Sequence, residues 1–418
     1  MKVIIMLFLI TVFVLTGCSK NDDGNSLPPP NQAPQVFSLS VIPNNATNVD
    51  LLPTFDWLES IDPDGDTVTY SLYMDTQNPP TKLVQDNITE TDFEITEPLS
   101  HYTTYSWKVV ATDGQASTES SNVFSFTTRG INLAVEVTNS AGFIPRRFHQ
   151  AVSFNNKLWV IGGDNHNGED ENDVWSSIDG VTWTEVNSNA DFSGRWGHTV
   201  TVFNNKIWVI GGYDGTNETN DVWSSTDGIT WTEVTNNSAF TARSKHQALV
   251  FDNKLWVIGG TDVNGNNNSV WSSSDGVTWT EVTASAQFSG RHSFSALTFN
   301  DKMWVVAGSD GNAKNDVWSS ADGVTWTEET ASAQFSPRYS QTVVAFSDKL
   351  WVIGGDDGNN KNDIWYSDDG NQWHQAQEHA TFTERYGHAS TVFNNKIWVI
   401  GGDDDTGTGF LGDVWSIN

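Results

Sequence analysis

Six times this chain places a Trp three residues ahead of a pair of small residues, first in Lys157-Leu158-Trp159-Val160-Ile161-Gly162-Gly163. The phrase returns around Trp208, Trp256, Trp304, Trp351 and Trp398 at intervals of 47 to 49 residues. Self-similarity at that period means a repeat architecture, in which each unit can hide its apolar faces only against its neighbours. Behind the Gly pair runs an Asn/Asp/Gly-rich loop, then Asp173-Val174-Trp175-Ser176-Ser177, then Asp179-Gly180, then Thr182-Trp183-Thr184-Glu185. Asp-Gly between β-favouring runs predicts a type I′ hairpin turn, and it recurs at Asp227-Gly228, Asp275-Gly276, Asp322-Gly323 and Asp369-Gly370. Ahead of the Gly pair another strand ends in a turn such as Phe154-Asn155-Asn156-Lys157, so one unit is four antiparallel strands.

The fold class that follows is all-β, with residues 131–418 forming six blades of a closed β-propeller. Seventeen of the 20 Trp residues recur in register, and burial between blades accounts for them without a ligand. The sixth unit stops at Asp413-Val414-Trp415-Ser416-Ile417-Asn418, before its Asp-Gly turn and fourth strand. Ala134-Val135-Glu136-Val137-Thr138 reads like Trp231-Thr232-Glu233-Val234-Thr235, so this early strand is expected to complete the last blade.

The doubled Gly, the Trp-bearing strand behind it and the Arg ahead of the first strand resemble kelch repeats over residues 131–418, with Ala307-Gly308 as a departure in the fourth. Ser177 to Trp183 also resembles the Asp-box of sialidase-type propellers, one residue shorter between Asp and Trp. Kelch-type propellers include copper-radical oxidases, which need a Cys cross-linked to a Tyr; the only cysteine here is Cys18, far from the repeats. The Arg cluster, Tyr nucleophile and acid that the sialidase resemblance implies do not stand out at unrepeated positions. His149, His198, His246 and His388 share one position just before the first strand, where recurrence argues for packing and leaves metal ligation as the alternative. Arg146, Arg195, Arg243, Arg291, Arg338 and Arg385 recur three residues after a Phe. They are expected to tie backbone carbonyls and the fourth-strand Glu together, but a guanidinium fork also suits an anionic ligand.

Positions where the repeats disagree point elsewhere than to scaffold. Directly after each Arg stand Arg147, Trp196, Ser244, His292, Tyr339 and Tyr386. The kelch resemblance implies that this connection shares one face, around a channel mouth, with the loop after the Gly pair, which brings Asp164, Tyr213, Asp214, Asp262, Asp310, Asp357 and Asp404. Aromatic rings beside carboxylates suit a glycan, whose apolar face stacks while its hydroxyls donate. They also suit a peptide anchored by basic residues, and free loop variation gives a similar scatter. The expectation is non-enzymatic binding of a glycan or an extracellular protein by Arg147, Trp196, Tyr213, His292, Tyr339 and Tyr386. The alternative is a glycosidase that uses carboxylates of the mouth.

Residues 32–129 alternate short strands with turn residues at the spacing of a small antiparallel sandwich. They resemble a fibronectin type III domain, Trp57 matching its early-strand core Trp, and Leu99 with Tyr105 its tyrosine corner; the resemblance implies a spacer or adhesive module. Asp62-Pro63-Asp64-Gly65-Asp66 gathers three carboxylates of the kind calcium prefers, or forms a solvated turn; no other cofactor is expected. Residues 1–17 have the layout of a secretory signal, too short to span a membrane. Leu15-Thr16-Gly17-Cys18 resembles a lipobox, which implies lipidation at Cys18, and residues 18–31 form a polar, Pro-rich tether. Asp22-Asp23 is similar to the export signal of Bacteroidetes surface lipoproteins and implies display on the outer membrane. With 21 basic and 52 acidic residues the net charge of −31 repels nucleic acid and anionic lipid, so membrane contact is expected through the anchor alone. A monomer is expected.

Overall fold

The computed structural model describes residues 29–407 and 409–418, so the signal, Cys18 and most of the tether lie outside the described residues. Among those described there is no α-helix, and the chain is all-β. It divides into two compact units. The smaller is built from residues up to Ala46, Pro53–Ile95 and Thr104–Phe126; the larger from Thr47–Leu52, Thr96–Thr103 and Thr127–Asn418.

The main sheet of the smaller unit carries Phe124–Thr128, Thr104–Thr112, Thr69–Asp75 and Leu83–Ile88 in that order, and Thr54–Asp56 pairs separately with Asp92–Glu94. Tyr70, Leu72 and Met74 alternate inward along one strand, as the period of two requires. Trp107 packs 4.7 Å from Phe55, and Trp57 is buried with them. At the calcium candidate, Asp62, Asp64 and Asp66 meet in a turn. Asp62 Oδ1 accepts the backbone N–H groups of Asp64 and Asp66 at 2.8 and 3.2 Å, while both carboxylate oxygens of Asp64 accept from Gln32. No group of three His, Cys, Asp or Glu side chains among the described residues is placed to hold a metal.

In the larger unit each repeat makes its own antiparallel sheet. The second, for example, runs Thr199–Phe203, Lys206–Tyr213, Glu218–Ser225 and Thr232–Thr235. The sixth, Ala389–Phe393, Lys396–Gly402 and Leu411–Ile417, takes its fourth strand from Val135–Thr138, with Trp415 opposite Glu136. First strands of consecutive sheets lie side by side, and Ala389–Phe393 of the last lies against Gln150–Phe154 of the first. Each junction between neighbouring sheets, last to first included, is an apolar cluster.

The doubled glycine has two separate causes. A Cβ on the second, Gly212, would lie 2.7 Å from the Cβ of its own repeat's His198; on the first, Gly211, it would lie 3.0 Å from the imidazole of His246 in the next. Both positions also have positive φ. Ala307 stands in the first position of repeat four, at φ 59°, where the residue facing it from repeat five is Gln341, which instead donates to the Val306 carbonyl at 3.0 Å. The turns are arranged differently from expectation. Positive φ at both central residues, the mark of type I′, belongs to Asn155-Asn156 and its equivalents; at Asp179-Gly180 only the Gly is positive. Asp179 instead accepts the N–H groups of Val181 and Thr182, and Ser177 Oγ accepts from Gly180. This wider loop lays its Gly beneath a Trp of the preceding repeat, where a Cβ on Gly228 would meet the Trp159 ring at 2.2 Å. No Gly among the described residues lies against Trp351 in this way; within the larger unit Tyr102 and Tyr366 stack 4.6 Å apart beside it. Tyr366 stands where other repeats have Ser, as in Ser176 and Ser224.

Candidate ligand-binding mouth

Each recurrent Arg is a buried brace, which fixes the residue after it. Arg195 donates to both oxygens of Asp221 at 2.7 and 2.8 Å, to the Gly211 carbonyl at 2.9 Å and to the Ser193 carbonyl at 3.0 Å, with Phe192 under its plane. Arg146, Arg291, Arg338 and Arg385 repeat the pattern with Asp173, Asp316, Asp363 and Asp413. Burial works against the Asp221 charge, but the guanidinium outweighs it and holds the pKa below the usual carboxylate range. The acid is therefore this third-strand Asp; the fourth-strand Glu185 is exposed. Arg195, Arg243, Arg291, Arg338 and Arg385 are at most 1% exposed and direct their donors inward, which leaves no fork for a ligand.

Past the brace, the divergent residue bridges to the residue following the Gly pair: Trp196 to Tyr213, His292 to Ser309, Tyr339 to Asp356, Tyr386 to Asp403, and Arg147 to Asp164. The facing residues in the later repeats are thus Asp356 and Asp403, one position earlier than Asp357 and Asp404; Asp357 and Asp310 are held by Lys361 and Lys314. Asp262 is buried, accepting from Thr241 and Asn267.

One residue further the chain turns left-handed in every repeat, at Phe148, Gly197, Lys245, Ser293, Ser340 and Gly387. These six residues form a closed ring of backbone hydrogen bonds. Each N–H donates to the carbonyl one repeat back, at 2.7 to 3.2 Å, and Phe148 donates to Gly387 to complete the circuit. Below the ring, strand segments from all six sheets line a cavity of about 210 Å³. That is narrower than the ~300–1,000 Å³ typical of small-molecule pockets, so a larger ligand has to sit on the mouth. His149, His198, His246 and His388 line the cavity wall; burial holds His198, His246 and His388 down to about 3 and His149 well below its usual value, so all are neutral in the fold.

Side chains standing on the ring fall into two groups. Arg147 donates to Asp164 at 3.0 Å, to Asp403 at 2.9 Å and to the Tyr386 hydroxyl at 2.6 Å, and lies over the Phe410 ring. Burial opposes its charge, but these partners outweigh it and raise its pKa; burial and Asp403 push Tyr386 up to about 12. Tyr339 donates to Asp356 at 2.6 Å, and His292 keeps to Ser293. Beside this polar knot is an aromatic wall, where Trp196 packs 5.4 Å from Tyr213 and 5.6 Å from Phe148, and the Lys245 ammonium lies 5.1 Å over the Trp196 ring. Asp403 is buried, and the other side chains named here are half-buried. Near the wall, burial first and then Asp164, Asp214 and Glu171 push the Asp170 carboxyl up to about 6.

Of the sequence candidates, the structure brings together Arg147 with Tyr386 and Trp196 with Tyr213, and leaves Tyr339 and His292 to partners of their own repeats. Sequence reasoning missed Phe148, Lys245, Asp403 and Phe410. The first two had a signal: they stand where repeats two and six have Gly197 and Gly387.

Six four-stranded repeat sheets about a lined channel, each braced by Arg ahead of a Gly-Gly or Ala-Gly pair, define a kelch-repeat β-propeller. The family model described as the KLHDC2/KLHL20/DRC7 Kelch-repeats domain matches residues 101–308 and again 148–355, together more than half the chain. The Kelch motif matches residues 337–379 and 384–418. The chain belongs to the kelch-repeat family, whose domains typically mediate binding to other proteins. No curated protein matches it.

Proposed function

We propose that this is a non-enzymatic, lipid-anchored cell-surface protein whose closed six-bladed propeller, residues 131–418, binds a glycan or protein at its mouth. A fibronectin type III-like module, residues 32–129, holds it out from an anchor at Cys18. The pairing of Val135–Thr138 with the sixth sheet and the circuit of backbone bonds support the closure. The observation that carries the binding reading is the half-buried wall of Phe148, Trp196 and Tyr213 beside acceptor carboxylates at the rim. A screen of glycans and extracellular proteins with wild type and Trp196→Ala tests it. Ligand capture by wild type, weakened in the variant, is expected; equal capture by both, or none, refutes it. The anchor reading fails if Cys18→Ala stays in the membrane fraction.

Asp170 favours a second reading, a glycosidase in which this carboxyl is the acid, with Asp164, its cross-strand neighbour, or Asp214 as its ionised partner. Bound glycans should then gain new reducing ends with wild type and not with Asp170→Asn. Intact glycans after incubation with wild type dismiss it.

A further inference from the structure

Among the described residues of the mouth, Lys245 is a cation whose charge is left open. Its ammonium makes no ion pair or hydrogen bond among the described residues, whereas the neighbouring Arg147 is filled by two carboxylates and a hydroxyl. Two rings flank it, Trp196 at 5.1 Å and Phe148 at 5.9 Å. Burial, and then the Arg147 charge, lower its pKa, with Glu218 pulling weakly the other way. In a chain of net charge −31 an unpaired cation next to another cation is an unusual placement.

Lys245 sits at φ 52° in the left-handed region, as do Phe148, Ser293 and Ser340 at the equivalent ring positions, while positions 197 and 387 are Gly. The ring closes with Gly, Ser or Phe at the equivalent positions, so its backbone bonds do not call for a lysine here. The neighbouring Gly197 leaves room for it, since a Cβ there would approach the Lys245 stem at 3.3 Å.

We propose that the mouth takes an acidic glycan, with the anionic group of one sugar, a uronate carboxylate or a sulfate ester, on Lys245 and the sugar's apolar face on Trp196. This rests on the glycan-binding reading above and names its ligand class. A cation beside an aromatic platform fits an anionic ring better than a neutral one. An acidic peptide is the less favoured partner. Glu218 acts on this ammonium, and Asp170 with Asp164 and Asp214 forms an acidic group at the same mouth; these repel a run of carboxylates but can accept the hydroxyls that surround a lone anionic group on a sugar.

The test is an array of uronate-containing, sulfated and neutral glycans together with glutamate-rich peptides, probed with wild type, Lys245→Met, Lys245→Arg and Trp196→Ala at low and high salt. Thermal melting confirms that each variant folds. Binding is expected on acidic glycans alone, weakened about tenfold in Lys245→Met, kept in Lys245→Arg and reduced by salt. Uronate and sulfate arms separate the two anion sources. Binding that ignores Lys245→Met, or that falls on the peptides, overturns the proposal. Trp196-dependent binding of neutral glycans overturns it while leaving the glycan-binding reading intact; no binding on any arm removes both.

Discussion

Arg243 is the odd member of the six braces. Where the others face an Asp, it faces Ser269, whose hydroxyl lies 3.3 Å from both terminal nitrogens, and burial lowers its pKa to about 10. A buried cation without its carboxylate is a standing cost, and Trp271 must share the same hydroxyl. Ser269→Asp should restore the bidentate pair and stabilise the protein by about 1–3 kcal/mol, read from denaturant unfolding; destabilisation would mean that the added carboxylate is not reached by Arg243. The recurring Arg was plain in the sequence. Its partner was not, because the pairing crosses strands and the conspicuous Glu of the fourth strand points to solvent. The buried histidines carry a second prediction. His198 has a pKa of about 3 in the fold against about 6.5 unfolded, because burial and then Arg195 oppose its protonation, with Asp221 favouring it. The unfolded chain therefore binds a proton below about pH 6.5 that the fold refuses until about pH 3, and stability falls with pH across that window. The slope is about 1.4 kcal/mol per pH unit for each such residue. His198→Gln, the residue that repeat five uses as Gln341, should reduce the slope between pH 6.5 and 4 by about one proton; an unchanged slope contradicts the assignment.

Among the elements, the strand Val135–Thr138 carries the greatest structural load for its length. It is the outer edge of the sixth sheet, and it holds the start of the larger unit's main segment against the end of the chain, where Asn132 donates to the Asn418 carbonyl at 2.7 Å. Deleting residues 131–138 should replace a single unfolding transition by broader, earlier melting, lowered on the order of 10 °C; an unchanged transition refutes the role. That strand was legible because it repeats a known fourth-strand phrase. The turns were legible in position and not in type, since Asp-Gly and Asn-Asn both permit positive φ. Only the carboxylate of Asp179, capping two N–H groups beyond it, decides which loop is wide. Tyr366 shows the reverse case: it departs from the Ser of other repeats, and the reason is its packing on Trp351 and Tyr102.

For the whole molecule, periodicity exposed the number of units and the partner of the last strand, because a fixed spacing of Trp and Gly follows directly from what each sheet must bury. The mouth was only half legible. Repeats that disagree mark it, but which side chains meet depends on a ring of backbone bonds that has no side-chain signature. That ring has an electrostatic consequence. Its six N–H groups all donate in the same rotational sense, so the peptide dipoles run head to tail around a closed loop and their vector sum nearly vanishes. Unlike a helix terminus, the scaffold here presents no built-in polarity to an approaching ligand. The sign of charge the mouth prefers is then written entirely in the few side chains that stand on the ring. Exchanging one or two of them would re-address the protein to a different class of ligand without disturbing a single sheet.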